Sequence, residues 1–106
     1  MESNFLEKEK ILIFNILNEI DEYSVKTIRR KADYEIEKYM PKKVIFDFEN
    51  VTFMDSAGIG LIIGRYKFAK LLGASVEIRK INESVKKIFE MSGVLKIIPI
   101  SKQKSA

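Results

Sequence analysis

Ser56 is the side chain in this sequence whose position best suits a chemical switch. It follows Asp55 and precedes Gly58 and Gly60, at the point where an apolar run gives way to a helix-like pattern. A serine in such a place has three interpretations. It can cap the helix by accepting a hydrogen bond from a free backbone amide of the first turn, it can act as a nucleophile, or it can accept a phosphoryl group.

The composition argues against the nucleophilic interpretation. The chain contains no histidine and no cysteine, which excludes Ser-His and Cys-His catalytic arrangements, imidazole metal ligands and disulfides. Ser56 does not begin a Ser-x-x-Lys motif, and the glycines lack the third glycine of a dinucleotide fingerprint and the Lys-Ser/Thr of a P-loop. We therefore predict no enzymatic activity, no metal site and no cofactor, and the cap and the phosphoacceptor stay open.

A phosphate on Ser56 would have a favourable environment at this helix start. The backbone amides of Ala57 and Gly58 are expected to be free to bind it, at the positive end of the helix dipole. The modification would add about −1.5 to −2 charges next to Asp55. For Gly58 and Gly60 the alternative to nucleotide binding is packing, because a helical turn without side chains can approach a strand closely.

Hydrophobic periodicity predicts the elements that position this serine. Runs that alternate or are continuously apolar predict strands, whereas apolar residues spaced by three and four predict helices. The run over 11–17 is apolar on both faces, which suits a strand covered on both sides. The expected elements are strands over 4–7, 11–17, 44–48 and 74–79, helices over 25–39, 56–72 and 82–93, a last short strand or extended segment over 96–100, and a polar tail over 101–106.

This order of elements predicts the α/β class, with a mostly parallel or mixed sheet of four to five strands and three or more helices. Right-handed crossovers place the loops 18–24, 50–56 and 80–83 at the carboxyl edge of the sheet, where ligands and partners of open α/β sheets gather. Asp21 and Ser56 are therefore expected on one surface.

Length and charge limit the partners. The 106 residues suit one domain. Residues 1–56 carry a net charge of −3 and residues 57–106 one of +7, but the lysines are dispersed and no nucleic-acid motif accompanies them, so we predict no direct nucleic-acid binding. No apolar run reaches the roughly 18 residues of a membrane span, and a signal peptide is not recognisable. We expect a cytoplasmic protein without a membrane partner.

Two separate motifs resemble those of one family. The segment from Phe53 to Gly60, followed by the Gly-Arg-Tyr-Lys of 64–67, is similar to the signature of the STAS-domain anti-sigma factor antagonists. Residues 85–98 resemble the third helix and last strand of that family. The resemblance covers about residues 8–100 and is most pronounced to the sporulation antagonists of anti-sigma F factor. It implies a single STAS domain over 1–106.

The resemblance implies a partner-switching regulator. The unmodified protein would bind an anti-sigma factor that is also a serine kinase, with ATP or ADP bound by that partner, and would thereby release the sigma factor. Phosphorylation of Ser56 by the kinase would inactivate the protein, and a PP2C-type phosphatase would restore it. On its own the protein is expected to be a monomer. The partner-binding residues implied by the resemblance are Glu19, Asp21, Asp55, Ser56, Ala57 and Gly58.

Alternatives and departures accompany the resemblance. A STAS regulator of another pathway, such as a stress-response antagonist or a stressosome component, would use the same serine, and a small-ligand STAS domain of the kind appended to anion transporters would not. Ala57 stands where the family commonly has a second serine, and Asn18 where relatives often carry glycine. The chain ends before the terminal helix of many members, which predicts exposure of the isoleucines Ile97, Ile98 and Ile100.

Overall fold

A computed structural model of the chain describes residues 1–101 and confirms an α/β fold with four strands and three helices in the described part. The polar tail predicted over 101–106 lies, from residue 102 onward, outside the described residues. In chain order the elements are β1 (Glu2–Leu6), β2 (Ile11–Ile20), α1 (Val25–Tyr39), β3 (Lys43–Met54), α2 (Ala57–Leu71), β4 (Ser75–Arg79), α3 (Glu83–Ser92) and a single 3-10 turn (Val94–Lys96).

The strands form one mixed sheet in the order β1-β2-β3-β4. β1 runs antiparallel to β2, whereas β2, β3 and β4 are mutually parallel. Phe14, Phe46 and Ile78 are register partners across the three parallel strands. The rings of Phe14 and Phe46 stack with their centroids 5.4 Å apart, so the centre of the sheet is an aromatic and aliphatic row.

A single core lies on one face of this sheet. The apolar faces of all three helices pack against the same alternate strand positions, because side chains two residues apart on a strand share a face. Phe48 of β3, for example, meets Phe89 of α3 edge to face at 5.6 Å. The buried strand residues of this core are Leu12, Phe14, Ile16, Ile20, Val44, Phe46, Phe48, Val51, Met54, Val76 and Ile78.

The prediction that β2 is covered on both sides was wrong, since the helices of residues 1–101 cover only one face of the sheet. The apolar residues of the other parity, Ile13 and Ile45, are register partners and bury each other on the opposite face, outside the helix-covered core. Ion pairs flank them there: Lys43 Nζ lies 3.0 Å from Glu77 Oε1. An apolar run on two faces therefore reflected packing between strands as well as packing against helices.

Two strands are longer than predicted. β2 continues to Ile20 and β3 to Met54, although residues 18–20 and 50–54 were expected to be loops. The strands can include these polar residues because the pairing of β2 with β3 shifts register twice near the ends of the strands. At such bulges a strand can bend and redirect its side chains.

The last strand predicted over 96–100 was also wrong in extent. After Gly93, with φ of 79°, the chain forms the 3-10 turn, and only Ile100 forms a single parallel bridge, with Ile78. Pro99 lies beside this bridge and has no N–H for a longer ladder. Ile98, expected to be exposed, is fully buried in the core, whereas Ile97 and Ile100 stay partly exposed.

The one-sided core predicts a sharp contrast between two phenylalanines of β3. Replacing the fully buried Phe46 by alanine should lower the free energy of unfolding by about 3–5 kcal/mol. The matched change Phe53→Ala, at a side chain that is 51% exposed, should cost less than about 1 kcal/mol. Urea denaturation followed by circular dichroism measures both, and equal losses would contradict the assignment of the core face.

Candidate functional site

Three loops meet at the carboxyl edge of the sheet, as predicted. The backbone N–H of Asp55 donates to the carbonyl of Ile20 at 3.1 Å, which joins the ends of β2 and β3. The side-chain amide of Asn82 donates to the carbonyl of Val51 at 3.3 Å and brings the loop before α3 to β3. The loops that contain Asp21 and Ser56 therefore start from two hydrogen-bonded strand ends.

The hydroxyl of Ser56 does not cap α2, which was one of the interpretations left open. Ser56 is exposed and has helical torsions (φ −63°, ψ −18°), and its side chain makes no capping hydrogen bond. The capping acceptor is instead Asp55, whose Oδ1 accepts a hydrogen bond from the Ala57 N–H at 2.8 Å. The serine hydroxyl is consequently presented at the surface without a structural task at the helix start.

The amides expected to receive a phosphate are already occupied. The Ala57 N–H donates to the Asp55 carboxylate, and the Gly58 N–H donates to the Asp55 carbonyl at 3.1 Å. The prediction that both are free was therefore wrong. The cause is local, because an aspartate at this position can satisfy the first amides of a helix as an Asx turn does.

Gly58 and Gly60 differ in what they do. A Cβ atom built on Gly58 would collide with the side chain of Met54 and crowd Ile20, both at the ends of the central strands. The packing interpretation is thus confirmed for Gly58, which is buried. It was wrong for Gly60, where an added Cβ would have no atom within 4 Å.

The acidic loop before α1 is organised by its own hydrogen bonds. Asp21 Oδ1 accepts from the N–H groups of Tyr23 and Ser24, at 3.0 and 2.9 Å. The Ser24 hydroxyl accepts from the Asp21 N–H and donates to the Glu19 carbonyl, each at 3.0 Å. The carboxylate of Asp21 therefore shapes the loop, whereas Glu19 lies exposed on the strand end.

Asn18 explains how Glu19 is presented. Its φ is 65°, in the left-handed region that asparagine tolerates better than most residues other than glycine. It lies at one of the two register shifts between β2 and β3. Glycine also adopts this conformation readily, so asparagine here keeps a backbone geometry that glycine would allow.

Sequence reasoning missed two exposed aromatic residues at this edge. Tyr23 is 83% exposed in the acidic loop, and Phe53, the register partner of Glu19, projects from the end of β3. Aromatic side chains are enriched at protein interfaces, and large exposed ones bury much area on binding. The position of Tyr23 directly after two acidic residues was the available signal.

A partly buried ion pair joins α1 and α2 behind the site. Arg65 Nε of α2 lies 2.6 Å from Asp33 Oδ1 of α1. Burial is the largest influence on both groups: it raises the pKa of Asp33, which Arg65 opposes, and it lowers the pKa of Arg65. The free-energy cost of desolvating the two groups offsets much of their attraction. The pair therefore serves to fix the relative position of α1 and α2 more than to add stability.

Within residues 1–101, no three side chains of the metal-ligating types His, Cys, Asp and Glu converge on one point. Nor does any helix of this part have the length and apolar character that crossing a membrane requires.

Comparison with known proteins matches residues 3–105 to the STAS domain model. An anti-sigma F factor antagonist of Paenibacillus polymyxa is 32% identical over 90 residues, which are 85% of this chain and 77% of that protein. An anti-sigma-B factor antagonist of Bacillus subtilis is 30% identical over 95 residues, 90% of this chain and 85% of that protein.

The solved structures show the same fold. The anti-sigma factor antagonist SpoIIAA in its unphosphorylated form superposes with a TM-score of 0.81 at 24% identity, over 96% of this chain and 88% of that one. SpoIIAA of Bacillus in its phosphorylated form has a TM-score of 0.72 at 22% identity, over 96% and 91% of the two chains.

The hydrogen bonds at the start of α2 predict that two adjacent alanine substitutions differ in their effect on the free energy of unfolding. Asp55→Ala removes the capping acceptor and should lower the free energy of unfolding by about 1 kcal/mol. Ser56→Ala removes an exposed hydroxyl and should change it by less than about 0.5 kcal/mol. Thermal or urea unfolding measures both changes. A larger loss of unfolding free energy for Ser56→Ala than for Asp55→Ala would mean that the serine is the cap.

Proposed function

Because the chain belongs to the STAS-domain family of anti-sigma factor antagonists, we propose that it binds an anti-sigma factor that is also a serine kinase, and that phosphorylation of Ser56 ends this binding. As a member of that family it is a non-enzymatic regulator. The observation that carries the proposal is the exposed hydroxyl of Ser56, which is held at the carboxyl edge and has no capping role.

The chemistry requires from this chain only an accessible hydroxyl. The Ser56 oxygen forms a bond to the γ-phosphorus of ATP bound by the partner, the bond from that phosphorus to the β–γ bridging oxygen breaks, and ADP leaves as the hydroxyl loses its proton. A PP2C-type phosphatase would later hydrolyse the phosphoserine. The packing of Gly58 supports the phosphoryl transfer. It holds the start of α2 against the strands, and the neighbouring Ser56 stays exposed to solvent.

The surface proposed for partner binding, here called the docking edge, is taken from the joined ends of β2 and β3 and the loops after them, and consists of Glu19, Asp21, Tyr23, Phe53 and Ser56. Its charges are acidic, so we propose that it meets basic groups of the anti-sigma factor. Tyr23 and Phe53 add exposed aromatic area beside those charges.

The implied contact residues around the docking edge differ in how they would act. Glu19 is exposed and can contact a partner directly. Asp21 and Asp55 each use one carboxylate oxygen to organise their own loops. Ala57 is half-buried and Gly58 is buried, so Gly58 supports binding through the position it gives the backbone.

The sporulation branch of the family is the proposed pathway, and the relative from Paenibacillus polymyxa, an anti-sigma F factor antagonist, supports it. The relative from Bacillus subtilis, an anti-sigma-B factor antagonist, supports the stress-response branch as the second candidate. Calorimetric titration against an anti-sigma F and an anti-sigma B kinase separates the two, since the cognate partner should bind at least about tenfold more tightly. The cytoplasm, where sigma factors join RNA polymerase, is the proposed compartment.

Phosphorylation should occur on Ser56 alone. Incubation with ATP and the cognate anti-sigma kinase should add one phosphoryl group, seen by intact mass and mapped by peptide fragmentation. Ser56→Ala should abolish the addition, and Ser75→Ala, which removes an exposed serine at the start of β4, should not. A phosphoryl group that persists in Ser56→Ala would place the switch elsewhere.

Binding should depend on what Ser56 carries. Ser56→Ala should bind the anti-sigma factor with an affinity within about twofold of that of the unmodified protein, because the variant keeps the other four residues of the docking edge. Ser56→Asp should weaken binding at least about tenfold, equivalent to about 1.4 kcal/mol, and the matched change Ser75→Asp should have little effect. Tight binding by both Ser56→Asp and the phosphorylated protein would refute the switch.

A further inference from the structure

A basic groove runs between α1 and α2 and reaches the residue after Ser56. Its volume is about 310 Å³, and Ala57 at the start of α2 lines one end. Lys26 and Arg29 of α1 and Arg65 of α2 contribute three cationic side chains to its walls. Of these, Arg65 is only 8% exposed. The groove therefore combines an enclosed positive charge with two solvent-accessible ones.

Two glycines leave the groove open, although the backbone conformation at their positions does not require glycine. Gly60 and Gly64 lie inside α2 and line the groove, and a Cβ atom on either would have no atom within 4 Å. Neither has the positive φ that favours glycine. Glycine in a helix interior lowers helix stability relative to alanine. Helix stability therefore does not account for these two glycines, whose absent side chains leave space in the groove.

Within residues 1–101, only one of the three groove cations, Arg65, is paired with a carboxylate. Arg65 Nε contacts Asp33 at 2.6 Å, but neither this nitrogen nor the facing oxygen has a hydrogen bond of good geometry. Arg29 adds like charge next to Arg65. Within residues 1–101, no carboxylate forms an ion pair with Lys26 or Arg29. Three cations line the groove against one partly buried carboxylate, that of Asp33, so the groove carries a net positive charge.

We propose that this groove is a phosphoryl-binding site, and that the phosphoryl group it takes is the one carried by Ser56. The inference rests on the phosphorylation proposed above. A phosphate on Ser56 finds the Ala57 and Gly58 amides occupied and the Asp55 carboxylate beside it. The cations that line the groove next to Ala57 are the available counter-charges, and lysine and arginine side chains bind phosphate by charge-assisted hydrogen bonds.

The pKa of the phosphoserine tests this assignment without the kinase. Protein with phosphoserine installed chemically or by codon reassignment at position 56 is titrated by ³¹P NMR. An ordinary second phosphate pKa is about 6. Groove cations should lower it, against the opposing charges of Asp55 and Asp33, and Lys26→Ala/Arg29→Ala should raise it by about half a unit or more, a roughly threefold change in proton affinity.

A charge-matched control accompanies that variant. Lys67→Ala/Lys87→Ala removes two exposed cations of α2 and α3 that do not line the groove, and it should leave the pKa nearly unchanged. Equal shifts from both double variants, or no shift from either, would overturn the proposal. Because the phosphate is installed independently, a kinase that fails to modify Ser56 would refute the proposed function and leave this result standing.

Inorganic phosphate distinguishes the source of the phosphoryl group. In ¹H–¹⁵N spectra, phosphorylated protein should show shifts at Gly60 and Gly64 relative to unmodified protein, and these shifts should be lost in Lys26→Ala/Arg29→Ala. Inorganic phosphate added to unmodified protein should shift the same amides only at millimolar concentration. Saturation of the groove by micromolar free phosphate, with a phosphoserine pKa indifferent to the groove cations, would assign the site to a free anion and overturn the proposal.

Discussion

All three helices bury their apolar faces on the same face of the sheet, and this one-sided core fixes the remaining geometry. It forces α1 and α2 to lie side by side in the same direction, because each connects a parallel strand to its neighbour. Their amino ends therefore meet at the carboxyl edge of β2 and β3. The groove between the helices and the loops above the strands thus share one end of the molecule.

Gly58 sets how closely α2 approaches that edge. With no side chain on this residue, the first turn of the helix lies directly against Met54 and Ile20. The hydrogen bond from Asp55 to Ile20 ties the same segment to the neighbouring strand. Ser56, between these two anchors, has little backbone freedom. A group added to its hydroxyl must project from the surface or turn along the groove, because the helix start cannot retreat into a filled core.

The sequence was sufficient for the three helices and the four strands of the sheet and for their order, because the apolar spacing changes clearly between strands and helices. It was insufficient where two polar residues compete for the same task. Asp55 and Ser56 are both good capping residues, and only the torsions of the helix start decide that Asp55 reaches the Ala57 N–H. Spacing alone does not contain that information.

The other differences have equally local causes. Polar residues near Asn18 hid the continuation of β2, because a left-handed asparagine and two register shifts let the strand pass through them. Near residue 100, the apolar residues Ile97, Ile98 and Ile100 predicted a strand. The preceding 3-10 turn and Pro99 permit only one β-bridge there, between Ile100 and Ile78. Tertiary packing, which buries Ile98, overrode the local pattern.

If phosphorylation of Ser56 ends binding as proposed, the charges at the carboxyl edge constrain how it would do so. Glu19, Asp21 and Asp55 already make this edge acidic, so a partner that recognises it should be basic there. A phosphate would then add attraction, and net repulsion alone cannot release the partner. Under the proposed switch, release would follow instead from volume, since a tetrahedral phosphoryl group would occupy the space that the partner needs above Ser56. The helix start, which packs against Met54 and Ile20 at Gly58, would leave no room for that group on the inner side. A phosphate held toward Lys26 and Arg29 would also occupy the groove cations. Both consequences need only a local change at the surface and no rearrangement of the fold.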